Sequence, residues 1–377
     1  MKGTSYMAKE IASQPKLWQD TYESILSKKD QIVAFLDEIY KINNLQVILT
    51  GAGSSAFIGE ILQYSFYKNT GLTVKAIPTT DLVTHPRDFF QQSVPTLMIS
   101  FARSGDSPES IATFELAEKL TDTIYHLIIT CNPEGKLAEM ALNTKNSFVF
   151  LLPEGTNDQA LAMTSSFTSM TLTGLLISNI KKIEENEGNL KKLIEFGQII
   201  LNKYGAELGK VADLDFKRIV FLGSGPLKGT AKESHLKVIE LTDGQIICQY
   251  DSFLGFRHGP KAIIDETTLL IYLFSNDPYV YNYEVDLVKS TNETENFIFS
   301  IGIGQCLAEQ EDLNLNLTID LCTGRDQIPD DFFSICSIIP AQILGFYKSL
   351  SLGLTPDSPS KNGGIHRIVQ GVTIYPY

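Results

Sequence analysis

Two short loops in this sequence place serine, glycine and arginine between an apolar run and an amphipathic run, in the order strand, turn, helix. Main-chain N–H groups at such a turn converge on the start of the helix and can hold an anion, and serine hydroxyls add donors. An arginine can offer a charged fork to the same anion. These loops predict a phosphate site with the following candidate residues: Ser54 and Ser55 in the first loop, and Arg103, Ser104 and Ser107 in the second.

Each loop alone also has a purely structural interpretation, because serine at the start of a helix is a common N-cap. Two such loops at the ends of strands in one sheet are more specific, since open α/β sheets bind ligands beyond the carboxyl ends of their strands. The formal net charge of −13 disfavours nucleic acid as a partner. It also means that local donors must capture an anionic substrate.

The spacing of apolar residues predicts the elements that hold these loops. Between residues 8 and 42 the spacing is helical, with breaks near Pro15 and residues 27–29, which predicts two N-terminal helices. Short apolar runs then alternate with amphipathic segments, and this alternation predicts a parallel α/β sheet. The runs are Val47–Leu49, Val74–Ile77, Thr96–Ser100, Leu127–Thr130 and Phe148–Leu151.

The pattern then repeats, which predicts a duplicated domain. Residues 181–210 form a charged amphipathic stretch, and residues 218–227 can be laid over residues 46–55. The second copy has Pro226 and Leu227 where the first has its serine pair, so only the first is suited to phosphate. We expect N-terminal helices at 1–44, a first domain at 45–180, an inter-domain helix at 181–215, a second domain at 216–350 and a tail at 351–377.

Composition excludes several other classes of protein. A length of 377 residues with 43% hydrophobic content suits two ordinary domains. The first residues lack the apolar segment of a secretory signal, and Phe332–Leu354 is interrupted by polar residues, so we expect a cytoplasmic protein with a buried helix there. The five cysteines are scattered, which predicts reduced core residues and no metal or disulfide framework. No cofactor is expected.

The two loops, together with residues 256–260, resemble the sugar isomerase (SIS) family over nearly the whole chain. Residues 10–18, 157–167 and 367–372 resemble its AgaS branch of galactosamine-6-phosphate deaminase/isomerases, also labelled tagatose-6-phosphate ketose/aldose isomerases. The resemblance implies two tandem SIS domains, each a flavodoxin-like parallel sheet flanked by helices. In the related isomerase domain of glucosamine-6-phosphate synthase the phosphate pattern falls on the five loop residues above, although Ala102 here lacks one hydroxyl donor.

The same resemblance implies which groups react. It matches a Lys-x-x-Glu motif to Lys237 and Glu240, and a histidine motif to His258, which in the synthase enters the neighbouring subunit's site. Glu240 is then the base that moves a proton between adjacent carbons, and His258 opens the sugar ring. The non-catalytic alternatives are that Lys237 and Glu240 form a solvated ion pair on the helix surface and that His258 is an ordinary loop residue. Sugar contacts are expected from Thr164, Ser165, Asp158, His366 and Gln370.

The synthase carries a tail lysine that forms a Schiff base with its ketose, whereas Gln370 stands at the matching place here. A 2-amino sugar brings its own nitrogen, so its isomerisation gives a ketimine that water hydrolyses without an enzyme lysine. We therefore expect conversion of galactosamine 6-phosphate to tagatose 6-phosphate and ammonia, in a homodimer or larger homo-oligomer. A plain ketose/aldose isomerase, a fructosamine-6-phosphate deglycase and a non-catalytic sugar-phosphate sensor are the alternatives.

Overall fold

The computed structural model of the protein describes residues 5–307, 313–322, 327–369 and 371–377. Within these ranges the chain forms two compact units, each with one five-stranded parallel sheet flanked by helices. The first unit contains residues 16–159, 163–188 and 365–377. The second contains the described parts of 1–15, 160–162 and 189–364.

The N-terminal helices and the first sheet occupy residues 6–186, and the five predicted strands are all present. The elements in chain order are α1 (Tyr6–Ser27), α2 (Lys29–Ile39), β1 (Gln46–Thr50), α3 (Ser54–Thr70), β2 (Thr73–Ala76), α4 (Thr79–Thr84), α5 (Pro86–Phe89), β3 (Thr96–Ala102), α6 (Pro108–Leu120), β4 (Ile124–Thr130), α7 (Lys136–Leu142), β5 (Ser147–Leu151), the 3-10 turn Glu154–Thr156, α8 (Ser165–Ser178) and the 3-10 helix Ile180–Asn186.

The predicted helical break near Pro15 is wrong, because α1 runs through that residue. Proline has no N–H, so the carbonyl of Ile11 loses its usual helical donor. The side chain of Gln14 replaces that donor, with its Nε2 at 3.1 Å from the Ile11 oxygen. The same Nε2 lies 2.7 Å from Oε1 of Gln342. The second predicted break, at residues 27–29, is confirmed by the start of α2 at Lys29.

The second sheet follows a helical stretch whose charged amphipathic pattern was predicted, and it begins at Arg218 as expected. The elements are α9 (Glu187–Ile199), the π-helix Ile200–Tyr204, α10 (Gly205–Ala212), β6 (Arg218–Gly223), α11 (Pro226–Leu241), β7 (Ile247–Asp251), α12 (Phe253–Phe256), the 3-10 helix Pro260–Ile263, β8 (Thr268–Leu273), α13 (Pro278–Thr294), β9 (Phe299–Gly304), β10 (Leu317–Asp320), α14 (Asp330–Cys336) and α15 (Ile339–Ser351).

The two sheets have the same topology, which confirms the predicted duplication. Their orders are β2-β1-β3-β4-β5 and, read from the matching edge, β7-β6-β8-β9-β10. The turns after the first strand of each sheet also match, since Gly53 has φ 57° and ψ −128° and Gly225 has φ 54° and ψ −127°. A side chain is strained at this backbone conformation, which explains glycine at both places.

The expectation of five reduced cysteines is wrong for one pair, because Cys306 and Cys322 form a disulfide. The parallel strands β9 and β10 pair Gly304 with Asp320, and each cysteine lies two residues beyond its strand. Adjacent strand ends therefore bring the two Cα atoms to 4.5 Å. The remaining cysteines are free: Cys131, Cys248 and Cys336.

The late apolar stretch is a core helix pair, as predicted. Among the described residues, Asp330–Ser351 alone is long and apolar enough to cross a membrane by length and composition. However, 89% of its most apolar window is buried inside the protein. This degree of burial is typical of a core helix.

Candidate active site

The two predicted phosphate loops lie side by side in the first unit. Strands β1 and β3 are adjacent and parallel, so the loops that follow them emerge at the same edge of the sheet. Helices α3 and α6 begin there, with their N-terminal ends at this edge. A cavity of about 90 Å³ opens at this point. It is lined by Ala52, Ser55, Phe101, Ala102, Arg103, Ser104, Gly105, Ser107, Ser110, Met163, Arg367, Ile368 and Val369.

In the first loop, α3 starts close against the end of β1. A Cβ atom on Gly51 would lie 2.6 Å from the Cβ of Ser55, so only glycine permits this approach. Ser55 lines the cavity, and its hydroxyl lies 3.9 Å from the Met163 sulfur. Ser54 is buried at the first position of the helix and is not among the lining residues. Its role in phosphate binding stays a prediction.

In the second loop, the N-capping interpretation does not describe Ser107. This residue occupies the N-cap position of α6, yet its side chain makes no bond to a helical N–H. Its hydroxyl instead lies 2.6 Å from the hydroxyl of Ser110, which lines the cavity but is not among the predicted site residues. Ser107 and Ser110 are three residues apart at the start of a helix, and this spacing places two side chains next to each other. The hydroxyl of Ser104 accepts from the Asp106 N–H at 3.3 Å.

Gly135 packs closely against the main chain of the second loop. A Cβ atom there would lie 2.3 Å from the carbonyl oxygen of Ser104, so any side chain would displace the loop. The same carbonyl accepts from Nδ2 of Asn132 at 2.9 Å. The turn that follows β4 therefore fixes the position of Ser104, a contact that the loop motif does not reveal.

Arg103 is a charged residue that lines the cavity, and it is only 7% exposed. Its Nη2 donates to the main-chain oxygen of Arg367 at 2.5 Å. Residues 367–369 form one wall of the cavity, so the tail reaches the phosphate loops. His366 is exposed and is not among the lining residues. Gln370 lies outside the described residues.

Three of the residues predicted to contact the sugar, Asp158, Thr164 and Ser165, belong to a buried network around one carboxylate. Asp158 is 1% exposed, and its two oxygens accept hydrogen bonds from three consecutive residues at the start of α8. The donors are the N–H and hydroxyl groups of Thr164, Ser165 and Ser166, at 2.5 to 3.2 Å. Because these hydroxyls already serve Asp158, the geometry supports a structural role, and direct sugar binding stays a prediction.

In the second unit, Lys237 on α11 lies between two carboxylates. Its Nζ is 2.6 Å from Oε2 of Glu240 and 3.2 Å from Oε1 of Glu233. Burial lowers the pKa of Lys237, but the two carboxylates raise it by more, so the net shift is upward and the ammonium stays charged. Glu240 keeps 21% of its side chain exposed. Glu233, one helical turn before Lys237, is a member of this cluster that the Lys-x-x-Glu motif does not include.

His258 lies on an exposed loop of the second unit. Helix α12 precedes it, capped by the Ser252 hydroxyl, which accepts from the Gly255 N–H at 3.0 Å. Gly259 follows with φ 121°, a conformation that favours glycine. The imidazole is solvent-accessible in the described chain. This loop holds His258 outside the hydrophobic core. A residue that contacts a ligand or a second chain has to be accessible in this way.

In the second unit, the loop after β8, the strand that corresponds to β3, donates to carboxyl groups of the protein itself. After β8, the N–H of Ser275 donates to Glu284 at 2.9 Å, and that of Asn276 donates to Asp330 at 2.9 Å. Burial raises the pKa of Glu284 to about 7, although hydrogen bonds from Ser275 and Ser224 oppose the shift. These loop donors are therefore directed at the protein's own carboxyl groups.

One thiol lies close enough to the first-unit site to sense the charges of Arg103 and Arg367. Burial raises the pKa of Cys131 to about 12, so this thiol is not a nucleophile at neutral pH. Among the residues that the structure describes, no group of three or more His, Cys, Asp or Glu side chains is arranged to hold a metal ion.

Comparison with known proteins identifies the family. Residues 38–178 match the family model for the SIS domain. The D-galactosamine-6-phosphate deaminase AgaS of Shewanella sp. strain ANA-3 is 40% identical over 378 residues, covering 100% of this chain and 93% of that protein. The chain belongs to the AgaS family of SIS proteins.

Solved structures agree with the family and with its tandem SIS fold. The tagatose-6-phosphate ketose/aldose isomerase from Escherichia coli superimposes on this AgaS-family chain with a TM-score of 0.89 at 38% identity, covering 99% and 97% of the two chains. The C-terminal domain of the glucosamine-fructose-6-phosphate aminotransferase from Francisella tularensis matches with a TM-score of 0.80 at 19% identity, covering 94% and 99%. The latter likeness shows the fold alone.

Proposed function

We propose that this protein converts D-galactosamine 6-phosphate and water to D-tagatose 6-phosphate and ammonia. The observation that carries the proposal is the cavity of the first unit, where Ser55, Arg103, Ser104 and Ser107 are brought together beyond the sheet. Their hydroxyl and guanidinium donors suit a phosphate group. Full-length similarity to a galactosamine-6-phosphate deaminase supports the choice of sugar.

The reaction needs one proton transfer and one hydrolysis. In the open-chain sugar, a base removes the proton from C2, and the resulting enolamine takes a proton at C1. The product is a ketimine at C2, and water adds to it and expels ammonia, which leaves the ketose. Nitrogen enters with the substrate, so no enzyme amine has to form a covalent intermediate.

We assign the proton transfer to Glu240 and ring opening to His258. Lys237 holds the Glu240 carboxylate through a hydrogen bond of 2.6 Å, which fixes the base while leaving it partly exposed. Ser54, Ser55, Arg103, Ser104 and Ser107 are assigned to the phosphate. We further propose a cytoplasmic homodimer, in which His258 enters the neighbouring subunit's site, as the resemblance to the synthase implies.

Product analysis on the purified protein tests this function. The protein is incubated separately with galactosamine 6-phosphate, glucosamine 6-phosphate and tagatose 6-phosphate, and both ammonia and sugar products are measured. We expect ammonia and tagatose 6-phosphate in equal amounts from the galacto substrate. Aldose formation from tagatose 6-phosphate without ammonia from either amino sugar would instead identify a plain isomerase. No turnover of any compound would refute the proposed reaction and leave the deglycase and the sensor.

A substitution tests the assignment of the base. Glu240→Gln keeps the shape of the side chain but cannot take a proton, so kcat should fall at least ~100-fold while substrate binding persists. Glu266→Gln, at an exposed position of the same unit, is the matched control and should keep wild-type turnover. Unchanged kcat in Glu240→Gln would remove this residue from the mechanism.

A further inference from the structure

The cavity has a wall that the phosphate-loop motifs do not include. Residues 365–369, which we call the tail strap, reach the cavity, and three of them line it together with Ser55 and the second loop. Among these three, Arg367 is the one charged residue. It makes hydrogen bonds in two directions, one through its side chain and one through its main chain.

The side chain of Arg367 fastens the strap to a single turn. Its Nε donates to the main-chain oxygen of Asp158 at 2.8 Å. Its Nη2 donates to the side-chain oxygen of Asn157 at 2.7 Å. A planar guanidinium holds two acceptors in a fixed geometry, whereas a lysine ammonium is a single rotating point charge. The strap is therefore fixed to the turn whose carboxylate also caps α8.

The main chain of Arg367 orients the Arg103 side chain. Its carbonyl oxygen accepts from Nη2 of Arg103 at 2.5 Å. A guanidinium carries five N–H donors in one plane, so holding one of them at a carbonyl sets the direction of the others. The orientation of Arg103 consequently depends on where Arg367 holds the strap.

We propose that Arg367 is a positioning residue for the substrate's phosphate group, acting through Arg103. This inference rests on the proposed sugar-phosphate site and deepens it. The phosphate takes no part in the bond changes at C1 and C2, so it is held equally in the ground state and the transition state. Losing an interaction of that kind raises KM and leaves kcat nearly unchanged.

Steady-state kinetics of three variants test the role. For Arg367→Ala, we expect KM for galactosamine 6-phosphate to rise about 10- to 100-fold, while kcat falls less than about 3-fold. Arg367→Lys keeps the charge but cannot hold both acceptors, so it should recover only part of the KM. Lys361→Ala removes an exposed tail side chain and is the matched control. A fall in kcat at unchanged KM would overturn the proposal.

Inorganic phosphate tests the same residue without turnover. Phosphate should raise the melting temperature of the wild-type protein, and Arg367→Ala should need at least about 10-fold more phosphate for half of the effect. Equal phosphate dependence in the two proteins would show that Arg367 does not position the anion site. Phosphate dependence on Arg367 without any sugar turnover would instead refute only the proposed reaction.

A double-mutant cycle tests the route through Asn157. Asn157→Ala removes one of the two acceptors of the Arg367 guanidinium. It should raise the half-saturating phosphate concentration about 3-fold, which corresponds to the loss of one hydrogen bond. The double variant Asn157→Ala/Arg367→Ala should bind phosphate as Arg367→Ala does, because both changes remove the same contact. Losses that multiply in the double variant would show that the two residues act independently.

Discussion

Replacing Asp158 with asparagine tests how firmly the start of α8 is held. The substitution keeps the size of the side chain but removes its charge and turns one acceptor oxygen into an NH2 donor. Oδ2 of Asp158 accepts the N–H groups of Thr164 and Ser166, and Oδ1 accepts that of Ser165. Whichever oxygen becomes NH2, it therefore faces at least one buried main-chain N–H.

The size of the effect follows from these contacts. A hydrogen bond to a charged acceptor contributes roughly 1.5–3 kcal/mol, and a carboxylate at a helix N-terminus roughly 0.3–2 kcal/mol more. The hydroxyls of Ser165 and Ser166 can rotate to new partners, but the N–H groups cannot. We therefore expect Asp158→Asn to lower the free energy of unfolding by about 3 kcal/mol, a large fraction of a typical domain's stability.

The single tryptophan makes this change measurable in the first unit. Trp18 is fully buried, and its Nε1 donates to the Thr168 hydroxyl at 3.0 Å, within α8 itself. Urea unfolding followed by Trp18 fluorescence therefore reports on the helix that Asp158 caps. Asp88→Asn, at an exposed position, should change stability by less than about 0.5 kcal/mol. A loss below about 1 kcal/mol in Asp158→Asn would refute the reasoning.

Two further substitutions probe the two loop systems. Gly135→Ala places a Cβ atom 2.3 Å from the Ser104 oxygen, so it should raise KM at least about 10-fold, whereas Gly188→Ala, with no atom within 4 Å, should not. Because burial raises the pKa of Glu284 to about 7, its stabilising contribution is present below pH 4.5 and lost as pH rises through 7. Glu284→Gln should remove that pH dependence, worth up to about 3 kcal/mol, in urea unfolding followed by circular dichroism.

The features predicted correctly from sequence are those whose signal is local. Each strand of the first sheet was visible as an apolar run, and each of the two strand-to-helix turns as a glycine or serine cluster after such a run. The duplication was visible because both copies need glycine at the same strained turn, Gly53 and Gly225. Parallel strands also bring the loops that follow neighbouring strands to one edge of the sheet, as expected.

The features that were missed depend on contacts between distant segments. Pro15 removes one main-chain donor from α1, and the Gln14 side chain, bonded also to Gln342, takes the place of that donor. The disulfide between Cys306 and Cys322 depends on a strand register that the sequence spacing does not encode. In the same way, periodicity carries no information on how segments far apart in the chain pair their side chains.

The duplicated loops show most clearly where sequence reasoning stops. In both units a loop follows the middle strand of the sheet at its carboxyl edge, where a main-chain N–H group needs an acceptor. The second unit supplies one from its own chain, since Glu284 and Asp330 accept from the loop after β8. The loop after β3 has Arg103 and serines instead, with no carboxylate among the residues lining its cavity. An anion that comes from outside the chain therefore suits the first unit, and the second needs none.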